Sequence, residues 1–306
     1  MSAPTNRVLN DGKMKRALLL VCVALIGSAA AQEKKHDVLP HPLLWAATKD
    51  GVTTYLLGTI HVGVDAEAQL PEVVFDKLEA SPAFAMETDL NDPVLGHLGE
   101  RTAGGTLHDE LGPVYWRKLE AQLSPGLARR VDDKKAVIAA TLLSLKDLPP
   151  TPPMDSTLHI RASTHKKRLV YLEPAATEAA VLEDVMNLKM LKSMLDEPDA
   201  GPKQLKEMLD AYLAGDADAI ARANDGERTV ALAHGYTAAE YDAVMDKLLY
   251  QRNAAWIAPI EKLHAAGGGF VAVGALHLSG KRSVLELLAR RGFTIERVGA
   301  CCGWWP

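Results

Sequence analysis

Cysteine is scarce in this sequence of 306 residues, which has only Cys22, Cys301 and Cys302. Cys22 lies in a segment that we expect to be removed, and two adjacent cysteines cannot join distant parts of a fold. The sequence therefore excludes a disulfide framework. For Cys301 and Cys302, two packed thiols are favoured over a strained vicinal disulfide.

Several widespread catalytic and nucleotide-binding motifs are also absent. The sequence has no His-Glu-x-x-His, no Gly-x-Ser-x-Gly and no Gly-x-Gly-x-x-Gly. The segment from Gly274 to Ser283 comes nearest to a phosphate-binding loop. It has one residue too many between its glycines, and Arg282 stands where Mg²⁺ requires Ser or Thr. We therefore predict no nucleotide site.

Positive charge is in short supply as well. The chain has 34 Lys and Arg against 39 Asp and Glu, a formal net charge of −5. Because nucleic-acid binding needs a basic surface, the composition argues against DNA or RNA as a partner. Hydrophobic residues make up 48% of the chain, which is enough for one large or two small globular domains.

The N-terminus has the pattern of a secretory signal peptide over residues 1–31. A basic stretch at 13–16 precedes an apolar run at 17–26, and Ala29 and Ala31 provide a small-residue cleavage site. The run is too short to span a membrane, which favours cleavage after Ala31 over a retained anchor. We therefore predict a periplasmic or secreted protein with no stable membrane anchor after processing.

The remaining sequence predicts a single α/β domain over residues 32–306. Short apolar strands are separated by helical segments, which is typical of a mostly parallel central sheet flanked by helices. Asp50-Gly51 between two β-rich runs indicates an initial hairpin. The helical pattern of residues 175–265 predicts a large helical insertion.

Two similar stretches lie near opposite ends of this domain, at 55–62 and 270–277. Each is an apolar run followed by Gly-x-x-His, which supplies His61 and His277. Because the carboxyl ends of parallel strands form the ligand crevice of an open α/β sheet, we expect both imidazoles in one site. The alternative is two ordinary strand exits with hydrogen-bonded structural histidines.

Two further strands end in the carboxylates of Glu87 and Glu173. A carboxylate at the end of a buried strand is unfavourable unless it is paired or bound to a cation. A surface ion pair is the alternative. Arg252 is a candidate clamp for a substrate carboxylate or a surface residue, and Asp155 is expected to cap a helix.

These features together resemble the TraB/GumN family, over about residues 43–298. The family is related to the Tiki metalloproteases and, more remotely, to the ChaN and erythromycin-esterase-like fold. The resemblance implies that His61, Glu87 and His277 are metal-site residues. This chain has Pro152-Pro153-Met154 where members usually have a glycine, so we do not expect the adjacent Asp155 to be functional. The matching segments are Leu44-Trp45, Leu-Leu-Gly-Thr-Ile-His-Val at 56–62, Met-Glu-Thr at 86–88, Leu172-Glu173, Arg252-Asn253 and Val-Gly-Ala-Leu-His-Leu-Ser-Gly at 273–280.

Pattern and resemblance predict an exported metal-dependent hydrolase, metallopeptidase-like, acting on a peptide or small molecule. Two imidazoles and a carboxylate leave a coordination position open on Zn²⁺, Mn²⁺ or Co²⁺, whose bound water becomes a nucleophile. Glu173 is the expected general base and Arg252 the oxyanion or substrate clamp. The alternative is a non-catalytic periplasmic binding protein for a peptide or haem, with His61 or His277 as the axial ligand of a haem.

Overall fold

The computed structural model describes residues 37–233 and 235–299. The predicted signal peptide and the Cys301-Cys302 pair lie outside these ranges. Over the described ranges, no helix is both long enough and apolar enough to cross a lipid bilayer.

A six-stranded mixed sheet forms the centre of the fold. Its strands are β1 (Leu44–Lys49), β2 (Val52–Thr59), β3 (Ala83–Met86), β4 (Arg168–Tyr171), β5 (Gly269–Gly274) and β6 (Thr294–Arg297). They lie in the order β4-β3-β5-β2-β1-β6. The first four of these are parallel to one another, and β1 pairs antiparallel with both β2 and β6. The predicted mostly parallel sheet is confirmed.

Helices connect the parallel strands and cover the sheet. Those before β4 are α1 (Ala66–Gln69), α2 (Glu72–Ala80), α3 (Leu107–Leu123), α4 (Pro125–Arg130), α5 (Ala136–Leu145) and α6 (Met154–Thr164), with a 3₁₀ helix at Pro93–His97. Those between β4 and β5 are α7 (Ala175–Val185), α8 (Leu188–Asp196), α9 (Ala200–Ala214), α10 (Ala217–Ala233), α11 (Ala238–Met245) and α12 (Gln251–Ala265), with a π-helical turn at Asp246–Tyr250. After β5 come α13 (Ala275–Leu278) and α14 (Val284–Arg290).

The β1–β2 hairpin follows from the Asp50-Gly51 turn. Both residues have positive φ, 50° and 77°, the conformation that a two-residue turn between twisted strands requires. The turn sets a register that runs from Lys49 opposite Val52 to Leu44 opposite Leu57.

The inner strands are buried on both faces, so their sequences are continuous apolar runs. Gly58 allows an unusually close approach at the end of β2. A Cβ added there would lie 3.1 Å from Ala275 Cα and 3.3 Å from Leu43 Cβ. The missing side chain therefore lets α13 pack directly against the end of β2.

Candidate functional site

The predicted site residues lie at the carboxyl ends of adjacent strands. His61 follows β2, Glu87 follows β3, Glu173 follows β4, and His277 lies on α13 directly after β5. The register aligns Thr59 with Gly274 and Met86 with Ala272. The strand order therefore brings residues from distant parts of the chain together at the carboxyl ends of the parallel strands.

His277 is buried and held by the first residues of α12. Its Nδ1 lies 2.6 Å from Asn253 Oδ1, while Asn253 Nδ2 donates to the Arg282 carbonyl oxygen at 2.9 Å. Because the amide oxygen can only accept, Nδ1 carries the proton and Nε2 keeps a lone pair. Burial lowers the pKa of His277 to about 4, so the ring is neutral at pH 7.

His61 is exposed and is held by Asp155. Its Nδ1 lies 2.9 Å from Asp155 Oδ2, and Thr59 Oγ1 donates to Asp155 Oδ1 at 2.7 Å. The hydrogen bond to Asp155 and the charge of that carboxylate raise the pKa of His61 to about 9. The imidazole is therefore a cation at neutral pH unless another cation displaces its proton.

The expected role of Asp155 as a helix cap is wrong. Helix α6 begins at Met154, after Pro153, which makes no side-chain cap bond. Both oxygens of the Asp155 carboxylate are instead bound by residues at the end of β2. The partners are more than ninety positions away in the sequence, so local helix rules gave no signal for this contact.

Arg252 lies at the centre of the site with all its donor groups engaged. Its Nη2 donates to Glu87 Oε2 at 2.7 Å and to Glu173 Oε1 at 2.5 Å, and its Nε donates to Glu173 Oε1 at 2.9 Å. Its Nη1 contacts the Leu248 carbonyl oxygen and, at 3.4 Å, His277 Nε2. This buried guanidinium has no donor left for a substrate, so its contacts favour positioning over clamping.

Both carboxylate oxygens of Glu173 are also hydrogen-bonded. Besides Oε1, which accepts from Arg252, its Oε2 accepts from Trp256 Nε1 at 3.2 Å, and the side chain is only 6% exposed. A general base needs a lone pair that reaches a water molecule. The described contacts of Glu173 therefore favour a structural role, and its role as general base stays a prediction.

Glu87 is an ionised carboxylate beside His277, and 13% of its side chain is exposed. Its Oε1 accepts from the Gly274 N–H at 2.7 Å and lies 3.9 Å from His277 Nε2. Burial raises the pKa of Glu87, but its interactions with His277, Arg252 and His61 and the hydrogen bond from Gly274 lower it more, to about 2.

Glu178 interacts with the charges of the same site, although sequence reasoning did not select it. It lies in the first turn of α7, and its Oε2 is buried without a hydrogen-bond partner. Burial, followed by the charge of Glu87, raises the pKa of Glu178 to about 7. The sequence offered one weak signal, an acidic residue five positions after Glu173 in an otherwise small and apolar helix start.

The predicted residues thus form a contacting core and one outlying member. Glu87, Glu173, Arg252 and His277 are in direct contact, whereas His61 pairs with Asp155 and acts on Glu87 only through its charge. Within the described residues, no three His, Cys, Asp or Glu side chains lie close enough to hold a metal ion. The three-ligand metal site stays a prediction.

Comparison with known proteins gives a family match and two relatives. A protein of Shigella flexneri named uncharacterized protein YbaP is 27% identical over 249 residues, 77% of this chain and 87% of that protein. The protein of the same name in Escherichia coli K12 is 27% identical over 248 residues, 76% of this chain and 87% of that protein. No solved structure matches the chain. The family described as TraB/PrgY/gumN matches residues 43–297, which include every site residue above, and the chain therefore belongs to that family.

Proposed function

We propose that this protein is an exported metal-dependent hydrolase that acts on peptides. One observation carries the proposal. At the carboxyl ends of the parallel strands, each of the two imidazoles is held through its Nδ1 atom. Asp155 holds His61 and Asn253 holds His277, and the ionised Glu87 lies at the same end of the sheet. This arrangement leaves both Nε2 atoms outside these bonds, and a ligand at His277 Nε2 would replace only its long contact of 3.4 Å with Arg252 Nη1.

The chemistry of these donors suits a divalent ion. Histidines that bind metals commonly donate the other ring N–H to a carboxylate or carbonyl oxygen, as His61 and His277 do here. Since His61 makes no contact with Glu87 and its side chain is 74% exposed, it is the ligand that would move to complete the set. Binding would also displace the His61 proton.

A divalent ion held by His61, Glu87 and His277 would supply a water molecule of lowered pKa as the nucleophile. The protein's own groups do the positioning. Arg252 forms ion pairs with Glu87 and Glu173 and fixes both carboxylates, and Trp256 holds the second oxygen of Glu173. Asp155 and Asn253 fix the orientations of the two imidazoles.

Metal analysis after purification without chelators tests the proposal, together with assays on a fluorogenic peptide library. We expect one divalent ion per chain, and hydrolysis by protein reloaded with Zn²⁺, Mn²⁺ or Co²⁺ but not by the apoprotein. His61→Ala, Glu87→Gln and His277→Ala should each remove the activity. Asp155→Ala and Asn253→Ala should weaken metal affinity by about 10–100-fold.

The matched control is His165→Ala, which removes a partly exposed imidazole at the end of α6 that contacts Glu79. Its metal content and activity should equal those of the wild type. Protein that binds no metal and hydrolyses no peptide contradicts the proposal. A haem absorbance band, or peptide binding without turnover, would instead favour a binding protein.

A further inference from the structure

A proline-rich segment at residues 149–155, which we call the strap, is bonded to the loop that carries His61. Within it, Thr151 stands between Pro150 and Pro152. A proline fixes its own φ at about −65° and restricts the residue before it to extended conformations, so Thr151 has little freedom to lose on folding. Both prolines are exposed, whereas Thr151 is only 9% exposed. The strap therefore presents one buried hydroxyl from a stiff backbone.

Three residues at alternate positions, beginning with the last residue of β2, are hydrogen-bonded to the strap. The bonds are Thr59 Oγ1 to Asp155 Oδ1 at 2.7 Å, Met154 N–H to the His61 carbonyl oxygen at 3.1 Å, and Gly63 N–H to Thr151 Oγ1 at 2.8 Å. The two segments run in opposite directions, since each later position after β2 meets an earlier position of the strap. The backbone is therefore held at His61 and on both sides of it.

Gly63 is the position in this loop where the support matters most. Its φ is 99°, in the region that favours glycine, and glycine has more backbone freedom to lose than any other residue. The hydroxyl of Thr151 is the acceptor for its buried N–H within the described part of the chain. Without that acceptor the N–H would be left unsatisfied, and the loop would gain by leaving this conformation. The bond from Gly63 to Thr151 therefore decides whether the loop stays fixed.

A histidine at the surface does not need this support in order to fold. The side chain of His61 is 74% exposed, so its ring buries little apolar area and contributes little to the core. Its place is set by the loop backbone and by the bond to Asp155. A side chain that reacts or binds, in contrast, must be held close to its productive position by residues that are themselves fixed. The bonds to the strap match that requirement.

We propose that Thr151 is a positioning residue for His61. By holding Gly63 it fixes the loop backbone, so that the imidazole joins the other site residues by rotation of its side chain and not by movement of the loop. This inference rests on the proposed function and deepens it, since His61 is a ligand in that function. A loop that is fixed in advance loses less conformational freedom when the ligand binds, which strengthens binding.

Variants of Thr151 test the inference, with Zn²⁺ as the probe in titration calorimetry. Thr151→Val keeps the shape of the side chain but removes the acceptor, and should weaken Zn²⁺ binding by about 3–10-fold. Thr151→Ser keeps the hydroxyl and should bind like the wild type. Thr141→Val, the matched control, removes a hydroxyl that donates to the Val137 carbonyl oxygen in α5 and should also bind like the wild type. Thr151→Ala takes the place of the valine variant if the latter does not fold. Unchanged affinity without the hydroxyl, or an equal loss in Thr151→Ser, overturns the inference.

A measurement without metal separates this inference from the proposed function. In the metal-free protein, hydrogen exchange at the Gly63 amide should be about tenfold faster in Thr151→Val than in the wild type, and unchanged in Thr141→Val. Zn²⁺ added to the wild type should shift the NMR signals of the His61 ring while the Gly63 amide keeps its protection. If the wild type binds none of Zn²⁺, Mn²⁺ and Co²⁺, the proposed function fails and the hydrogen exchange alone decides the inference. Equal exchange in Thr151→Val and the wild type, or loss of Gly63 protection on Zn²⁺ binding, overturns it.

Discussion

Individual side chains in this site differ in whether their hydrogen-bonding groups are satisfied. Arg252 has no free donor and both oxygens of Glu173 are hydrogen-bonded, whereas His61 is exposed and Glu178 has an oxygen without a donor. Saturated residues position their neighbours, and unsaturated ones are available to ligands.

Asp155→Asn should lower the pKa of His61 from about 9 towards its ordinary value of 6.5. The substitution keeps the shape of the side chain but removes the negative charge and the charge-assisted hydrogen bond. NMR titration of the His61 ring measures the change. Asp147→Asn, on an exposed residue, is the control, and a His61 pKa that stays near 9 in Asp155→Asn would contradict the assignment.

Glu178→Gln should make the metal-free protein less sensitive to pH. Because the pKa of Glu178 rises from 4.5 unfolded to about 7 folded, folding favours the protonated form. Wild-type stability is therefore highest below pH 4.5 for this group and is lost as the pH rises through about 7. At pH 8 the variant should be more stable by up to about 3 kcal/mol. Urea unfolding of both proteins at pH 5 and pH 8 measures this, and parallel pH dependence would count against it.

Whole elements bring these side chains together. Helix α12 carries Arg252, Asn253 and Trp256, and all three point to the strand ends. Residues one turn apart share a helix face, so one helix contacts both Glu173 and His277. The preceding π-helical turn sets where this face begins.

Removing the cation from α12 should be severely destabilising. Arg252→Ala leaves Glu87 and Glu173 buried without their counter-charge, which typically costs about 3–5 kcal/mol. Urea unfolding should show this loss, and adding Glu173→Gln should restore part of it. Arg222→Ala removes an arginine that is 67% exposed and should change stability little. A comparably small loss in Arg252→Ala would show that the buried ion pairs matter less than their geometry suggests.

The close contact between β2 and α13 gives a second prediction for the elements. In Gly58→Ala the new Cβ meets Ala275 Cα at 3.1 Å and must displace the helix that carries His277. We expect a loss of about 1–3 kcal/mol in stability. Gly104→Ala is the control, because its Cβ would meet no atom within 4 Å. Equal unfolding midpoints for the two variants would refute the role given to Gly58.

At the scale of the whole molecule, the parallel part of the sheet determines where the site lies. The site residues lie at the carboxyl ends of β2, β3, β4 and β5, although helices separate these strands along the chain. We predict that the N-terminal segment directs export, and this prediction can be tested separately.

Export predicts a defined mature protein. Expression of the full chain in a Gram-negative bacterium should yield a periplasmic species whose intact mass begins at Gln32. Replacing the small residues Ala29 and Ala31 by Arg should block this cleavage, since the processing site requires small side chains. A membrane-bound species that retains residues 17–30 would contradict the prediction.

The sequence alone determined the α/β class, the hairpin and the strand ends that carry His61, Glu87, Glu173 and His277. These features follow from local rules, because turn residues, apolar periodicity and glycines act over a few positions. It did not determine which side chains meet. The bond from Asp155 to His61 and the saturation of Arg252 arise between segments that are far apart along the chain. Glu178 appeared in the sequence as an ordinary helix residue, and only the packing of α7 in the tertiary structure buries its carboxyl oxygen without a donor.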